Sequence, residues 1–489
     1  MSAIRRLTVW LPGVALATLS ACTLGPAYER PSTPAPTAYK EAPAAGSTWF
    51  PAAPADELDR GPWWGVFSDP TLSALLEQVD VSNQNVAAAV AAYAQAQALV
   101  SQQRAALFPS LALDGSATRS GGSDSRAGGG SQAKSTNFQL GLSASWEPDI
   151  WGKLRLGVTG AQASAQASAA NLAAARLSQQ AALAIDYFAL READNEIALL
   201  TSAVDAYAHS LRITQNQYDA AIAQRTDVLQ AQTQLETTQA NLVAMVGQRQ
   251  RLEHAIALLV GKAPAKFSVP VAPWNASVPA VPLSVPSELL QRRPDIAAAE
   301  RAVAAANAQI GIQRAAYFPS LGLSGSLAAT AATLPALFLA SNNAWSLGLS
   351  VAQTLFDAGA TAARVEGAQA ARDVAIANYR QTVLAAFQAV EDQLSTIRAL
   401  AEQEGQRRAA STDADRTEQL TLNQFLQGQV PYTTVVTAQV TALGARQTLS
   451  QLMSSRQAAA IALIQALGGG WHAGVFADQA PEPIAADGI

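Results

Sequence analysis

The residues in this chain best suited to chemistry are few. Cys22 is the only cysteine, and its thiol is the one group placed for covalent modification. One thiol forms no disulfide framework and no cysteine-based metal cluster. The three histidines, His209, His254 and His472, stand far apart and are read as surface or packing residues. No Ser/His/Asp arrangement, glycine-rich phosphate loop or metal motif is present. Three methionines, Met1, Met245 and Met453, give no thioether route for soft metals such as copper. The inventory points away from an enzyme, and from a hydrolase in particular. A net charge of -5 leaves no basic footprint for nucleic acid.

What surrounds Cys22 says what its thiol is for. The chain opens MSAIRRLTVWLPGVALATLSAC, with Arg5 and Arg6 before an apolar run from Leu7 to Leu19. Residues 1–21 form a signal peptide, too short and wrongly flanked for a membrane span. Leu19–Ser20–Ala21–Cys22 resembles a bacterial lipobox, which implies cleavage before Cys22 and a lipid such as palmitate on its thiol. The alternative is an ordinary signal peptide with an incidental cysteine. Thr23, in place of an aspartate, fits sorting to the outer membrane in lipoproteins of this type. Acyl chains anchor by burying methylenes at ~0.8 kcal/mol each. No later segment has the ~20 uninterrupted apolar residues of a spanning helix.

The elements behind these groups come in duplicate. RAALFPSL at Arg104–Leu111 returns as RAAYFPSL at Arg314–Leu321, offset by 210. Further on, Tyr218 matches Phe425, Ala221 matches Gly428, Ala231 matches Ala438 and Gly261 matches Gly468, all offset by 207. Repeats of this kind set the whole architecture. The chain has 489 residues, 14% of them charged, and much of its 49% hydrophobic content is alanine. Alanine favours helix and lets helices approach closely, but it fills no thick core.

Each copy reads helix, strand, strand, helix, helix. The first helix ends at Phe108–Pro109 or Phe318–Pro319, since proline disfavours helical geometry in the residue before it. In NFQLGLSASWE, the residues Phe138, Leu140, Leu142, Ala144 and Trp146 alternate with small or polar ones. WSLGLSVAQ repeats the pattern with Trp345, Leu347, Leu349 and Val351, and Leu111, Leu113, Leu321 and Leu323 begin weaker versions. Period two gives each strand one apolar face. The loop Arg119–Ser135 is polar and flexible, whereas Ala329–Asn343 is more apolar. Long proline-free helices follow. Apolar residues at Ile197, Leu200, Val204, Tyr207, Leu211 and Tyr218, and at Val383, Phe387, Val390, Leu394, Ile397 and Leu400, predict coiled-coil seams. The return helices end at Gly261 and Gly468–Gly470, where glycine suits a left-handed cap.

Four strands close no barrel, and an open sheet edge does not face lipid. Strands with one apolar and one polar face suit a transmembrane barrel. Several chains each giving four strands to one barrel, above a ring of helices, is the simplest resolution. Two chains leave a filled interior and three leave a pore, and the residues alone do not choose. A soluble β-sandwich would need an opposing sheet, and no other alternating runs exist.

On these residues the chain resembles the TolC-like outer-membrane efflux lipoproteins, the NodT-type outer-membrane factors of tripartite efflux pumps. The likeness covers nearly all of the mature chain. It rests on GPAYERP (Gly25–Pro31), WWGVFSDPTL (Trp63–Leu72), SWEPDIWGKLR (Ser145–Arg155), PSELLQRRPDI (Pro286–Ile296) and LFDAGA (Leu355–Ala360). The resemblance implies a homotrimer whose shared transmembrane β-barrel, four strands per chain, continues into a periplasmic α-helical coiled-coil barrel. It implies a lipid-anchored protein of the outer membrane that catalyses nothing. It implies a passive duct for small toxic compounds, drugs or solvents, served by a periplasmic adaptor (membrane fusion) protein and an inner-membrane transporter of RND type that drive substrate outward. Such channels accompany multidrug resistance.

The family's working end maps onto YDAAIAQRTDVLQAQ (Tyr218–Gln232) and FLQGQVPYTTVVTAQ (Phe425–Gln439), where the helices reverse. Adaptor docking is expected at Ala221, Arg225, Thr226, Gly428, Pro431 and Tyr432. Ala221 stands where the second copy has glycine, which leaves the first turn open to a different geometry. The constriction, often acidic in the family, falls on Thr434 and Thr437, with Asp227 as the acid of the first copy. Asp227 either joins a charged ring or caps its helix, and Arg225 is a partner for an acid across the helix gap. Arg292, Arg293 and Asp295 are read as capping and salt-bridge residues, Trp63 and Trp64 as packing, and Trp146 and Trp345 as packing or interfacial aromatics.

The expected layout is a signal peptide at 1–21, a lipidated extended segment at 22–62 and repeat 1 at 63–268 with strands at about 109–147. A Pro-rich connector at 269–286 leads to repeat 2 at 287–470 with strands at about 319–355, and a tail at 471–489. A coiled-coil lipoprotein that only tethers the envelope is the alternative, and it has no use for alternating strands.

Overall fold

A computed structural model describes residues 24–33, 36, 38–41, 63–121, 134–279 and 293–469. The signal peptide, Cys22, Arg292, most of the lipidated segment and the tail 471–489 lie outside the described residues. So do the middle of the first polar loop and the end of the connector. Along the chain, α1 (Pro70–Ser82) and α2 (Gln84–Ala105) lead to β1 (Ser110–Gly121) and β2 (Lys134–Trp146). The helices α3 (Lys153–Asp219) and α4 (Arg225–Leu259) close the first series. The second is α5 (Pro294–Arg314), β3 (Ser320–Ala331), β4 (Asn343–Ala352), α6 (Ala360–Leu426) and α7 (Tyr432–Ala466). Both α3 and α6 have 67 residues, which at 1.5 Å per residue is about 100 Å.

The chain forms two compact units, each drawing on both copies. The first comprises Met1–Ser32, Tyr93–Ser168 and Ala299–Tyr379. Its sheet runs β1-β2-β3-β4, antiparallel throughout. The register aligns the apolar residues: Leu113 opposite Leu142, Leu142 opposite Leu327, Leu323 opposite Leu349 and Leu321 opposite Val351. The other face carries serine, threonine and glycine, with Ser110 and Ser145 hydroxyls 2.8 Å apart and Ser326 and Ser346 likewise. Every residue of β1 and β4 is exposed, and neither outer edge is paired among the described residues. Asp149 accepts the Leu154 and Arg155 amides at 3.0 and 2.9 Å and so starts α3. Gly25 lies against α5, where a Cβ on Gly311 would fall 2.6 Å from the Gly25 Cα. Only glycine permits that approach.

The second unit comprises Thr33–Ala92, Ala169–Ala298 and Arg380–Ile489. Its core gathers Trp64, Phe67, Leu72, Leu76 and Val79 with Leu183, Tyr187 and Leu190 of α3, Ile256 of α4 and Ile461 of α7. Trp63 donates its indole N–H to Gln180, so both tryptophans pack as expected. Arg293 pairs with Asp295 at 2.6 Å and donates to the Ala466 carbonyl at 3.0 Å, tying α5 to the end of α7. The seam of α3 differs from the apolar reading. Its buried series is Leu200, Ala203, Tyr207, Ser210 and Thr214, in steps of three and four. The buried face is turned by one position from the expected one, Ala203 for Val204 and Ser210 for Leu211, which leaves Val204 and Leu211 half-buried. In α6 the expected Val383, Phe387, Val390 and Leu394 are buried.

Candidate functional site

Two places are candidates for function: the sheet of the first unit and the hairpin ends of the second. On the sheet, most of the apolar row is exposed, with no described residue covering its outer strands. Leu111, Leu113, Leu347, Leu349 and Val351 all face outward. Trp146 donates its N–H to the Leu107 carbonyl at 2.9 Å, which is a packing role, while Trp345 is 79% exposed. The polar row holds one charged side chain among the described strand residues, Asp114, with the Ser143 hydroxyl 3.4 Å away.

At the hairpin ends the two copies make the same turn. In the first, the Ala221 and Ile222 amides donate to Tyr218 and Gln217 at 2.9 and 2.8 Å. In the second, the Gly428 and Gln429 amides donate to Phe425 and Gln424, both at 2.9 Å. Ala221 holds φ 58° and Gly428 φ 72°. The first turn therefore does not differ, and Ala221 bears the strain of a left-handed backbone, about 1–2 kcal/mol. Asp227 accepts the Gln224 amide at 3.1 Å, closing the start of α4 where a negative charge is favoured. Arg225 pairs with no acid among the described residues. Its guanidinium lies 5.7 Å from the Tyr218 ring centroid.

Tyr432 departs from its expected place. It is only 1% exposed and packs on Phe425 at 5.3 Å, in a cluster with Ala231 and Val435 that Leu211 and Ile213 of α3 complete. Burial pushes its hydroxyl pKa up to about 12. Its side chain holds the two hairpins together and is not offered to a partner. Ala221, Arg225, Thr226, Gly428 and Pro431 are exposed. Thr434 and Thr437 meet in a groove of about 390 Å³ between α6 and α7, lined also by Thr417, Thr421, Thr433 and Thr441. A second groove, about 430 Å³, runs between α4 and α7 past Thr233, Thr433 and Thr437. Asp227 lines neither.

Two buried charge clusters escaped the reading of the residues. Asp69 caps α1 and accepts the Tyr187 hydroxyl at 2.7 Å. Arg191 donates to Tyr187 at 3.1 Å and to Asp194 at 2.9 Å, and Arg249 reaches Asp194 at 2.6 Å. The arginines also hold the connector carbonyls of Pro270 and Val269, both at 2.7 Å. Glu192 follows Arg191 on α3, and Glu196 stands one turn further along. Ser450 donates to Glu192 at 3.2 Å and Gln447 to Glu196 at 2.6 Å. Burial first, and Glu196 second, push Glu192 up to about 7. For this second cluster, two acids one turn apart on α3 were the available signal.

The outer membrane efflux protein family matches the chain twice, over residues 75–262 and 285–469. The chain belongs to that family. It is 32% identical over 468 residues to the pyoverdine export outer membrane protein OpmQ of Pseudomonas aeruginosa, covering 94% of this chain and 97% of the relative. It is 29% identical over 471 residues to the cation efflux system protein CusC of Escherichia coli, covering 94% and 98%. Among solved structures, the outer-membrane channel OprN superposes with a TM-score of 0.79 at 30% identity, over 92% of this chain and 100% of that one. This outer-membrane efflux protein thus has the TolC-like fold, four strands and long helices in two tandem repeats, and it acts as the outer-membrane channel of an efflux pump, not as an enzyme. Its sheet carries an apolar row on one side and a hydroxyl-rich row on the other, the pattern that suits a barrel strand with a lipid face and a lumen face.

Proposed function

We propose that three copies of this efflux protein close one twelve-stranded barrel and form a passive duct for small toxic compounds or drugs. The unpaired outer edges of β1 and β4, on a sheet with an exposed apolar face, carry the reading. In hydrocarbon those edges must be paired, and only other copies supply the strands. Twelve strands leave a pore where eight would be largely filled. A lipid on Cys22 adds an anchor to the barrel.

The hairpin turns around Ala221–Thr226 and Gly428–Pro431 dock a periplasmic adaptor, which joins the duct to an inner-membrane transporter of RND type. Thr434 and Thr437 form the constriction, with Asp227 serving its own helix. A hydroxyl-lined wall grips no cargo class tightly, which suits a duct whose relatives are named for cargoes as unlike as pyoverdine and cations. A photo-crosslinking residue at Ile222 or Gln427 should capture the adaptor in cells, and one at Trp345 should not. Export that persists while neither tip is ever captured would overturn the docking.

A further inference from the structure

The segment joining β3 to β4 has no use in the duct so far described. It lies at the end of the sheet opposite the helices, since α2, α3, α5 and α6 all join the other ends of the strands. That end is the outer rim of the barrel. The segment is ordered by two short turns, Pro335–Phe338 and Ala340–Asn342, and Asn342 donates its amide to the Ala336 carbonyl at 2.7 Å. The first turn packs against both β2 and β3. The side it covers can be read from burial. Ala331, on the apolar row with Leu327 and Ala329, is 8% exposed, whereas Thr330 on the polar row is open. Leu337 is 6% exposed, turned inward. Leu334, Phe338 and Leu339 are left out, with Phe338 77% exposed.

We propose that residues 332–342 fold over the lipid side of the barrel rim and seat Leu334, Phe338 and Leu339 among the acyl chains of the outer leaflet. The patch continues the apolar row that already faces lipid, so the same solvent covers both. No charged residue occurs from Ala329 to Asn343, so the segment offers nothing to an anionic headgroup and its partner is hydrocarbon. The corresponding loop of the first copy, Arg119–Ser135, carries Asp124 and Arg126 and has no such composition. Only the second copy has the composition of a collar.

The experiment uses the intact channel in phosphatidylethanolamine–phosphatidylglycerol vesicles. Phe338→Cys, Leu334→Cys and Leu339→Cys are each labelled with an environment-sensitive fluorophore, and the parent chain reports any free Cys22 thiol. Leu349→Cys marks the lipid face and Ser346→Cys the lumen. The expected result is loss of fluorescence to a lipid-borne nitroxide at all three rim positions, as at Leu349→Cys, with iodide far less effective than at Ser346→Cys. Quenching by iodide as strong as at Ser346→Cys places the segment in water and overturns the proposal. Protection from both quenchers places it against a neighbouring copy and overturns it equally.

Discussion

At the two hairpin ends, one backbone turn carries opposite chemistry. Tyr218 and Arg225 occupy the places that Phe425 and Tyr432 hold 207 residues later. The first pair is an exposed cation over a ring at 5.7 Å, and the second is two packed rings at 5.3 Å with Tyr432 buried. Asp227, which caps α4, is replaced by Thr434, which lines a groove. Duplication has kept the turn because its hydrogen bonds are local. The side chains were free to diverge, so one end faces water and the other seals the contact between hairpins.

The comparison breaks most visibly in the membrane, where the copies should behave alike. Leu142→Arg and its counterpart Leu349→Arg should each cost about 2–4 kcal/mol, as a charge on the lipid face does. The check is loss of the detergent-resistant oligomer, with Ser143→Arg and Ser350→Arg assembling normally. At the hairpin ends the copies should differ. Tyr432→Ala should cost about 3 kcal/mol, as other buried aromatics do, and Arg225→Ala less than about 1 kcal/mol. Denaturant unfolding of the helices reads both.

Swapping the turn residues sharpens the point. Gly428→Ala should destabilise by about 1 kcal/mol, and Ala221→Gly should stabilise by a comparable amount, because only the left-handed backbone is at stake. The smallest effect is in pH. Glu192 and Glu196 of the first copy become Ala399 and Gln403 in the second. Glu192 is raised in the folded state, so folding takes up a proton and stability falls as pH rises from the ordinary carboxylate range through about 7. Melting temperature should decline across that window in the native protein, and Glu192→Gln should flatten the decline.

How legible all this was depends on range. The strands were readable because alternation is local: Leu140, Leu142 and Ala144 announce a face without any partner. The open edges then followed from counting. The hairpin turn was placed in both copies from the repeat, but Ala221 left the geometry of the first open, since a strained alanine looks like any other. The α3 seam was misread where Ala203 and Ser210 are buried in place of Val204 and Leu211, because small and polar side chains carry no hydrophobic signal. The chain from Asp69 through Tyr187 and Arg191 to Arg249 joins residues far apart in sequence, and no local pattern foretells it. Tyr432 likewise looked like a turn residue until its burial against Phe425 was seen.

Native mass spectrometry of the detergent-extracted protein tests the shared barrel most directly. A trimer with an acyl-modified Cys22 on each chain is the predicted species. A monomer that stays water-soluble once its acyl chains are removed would contradict the barrel, because its four-stranded sheet would then be stable with both edges open.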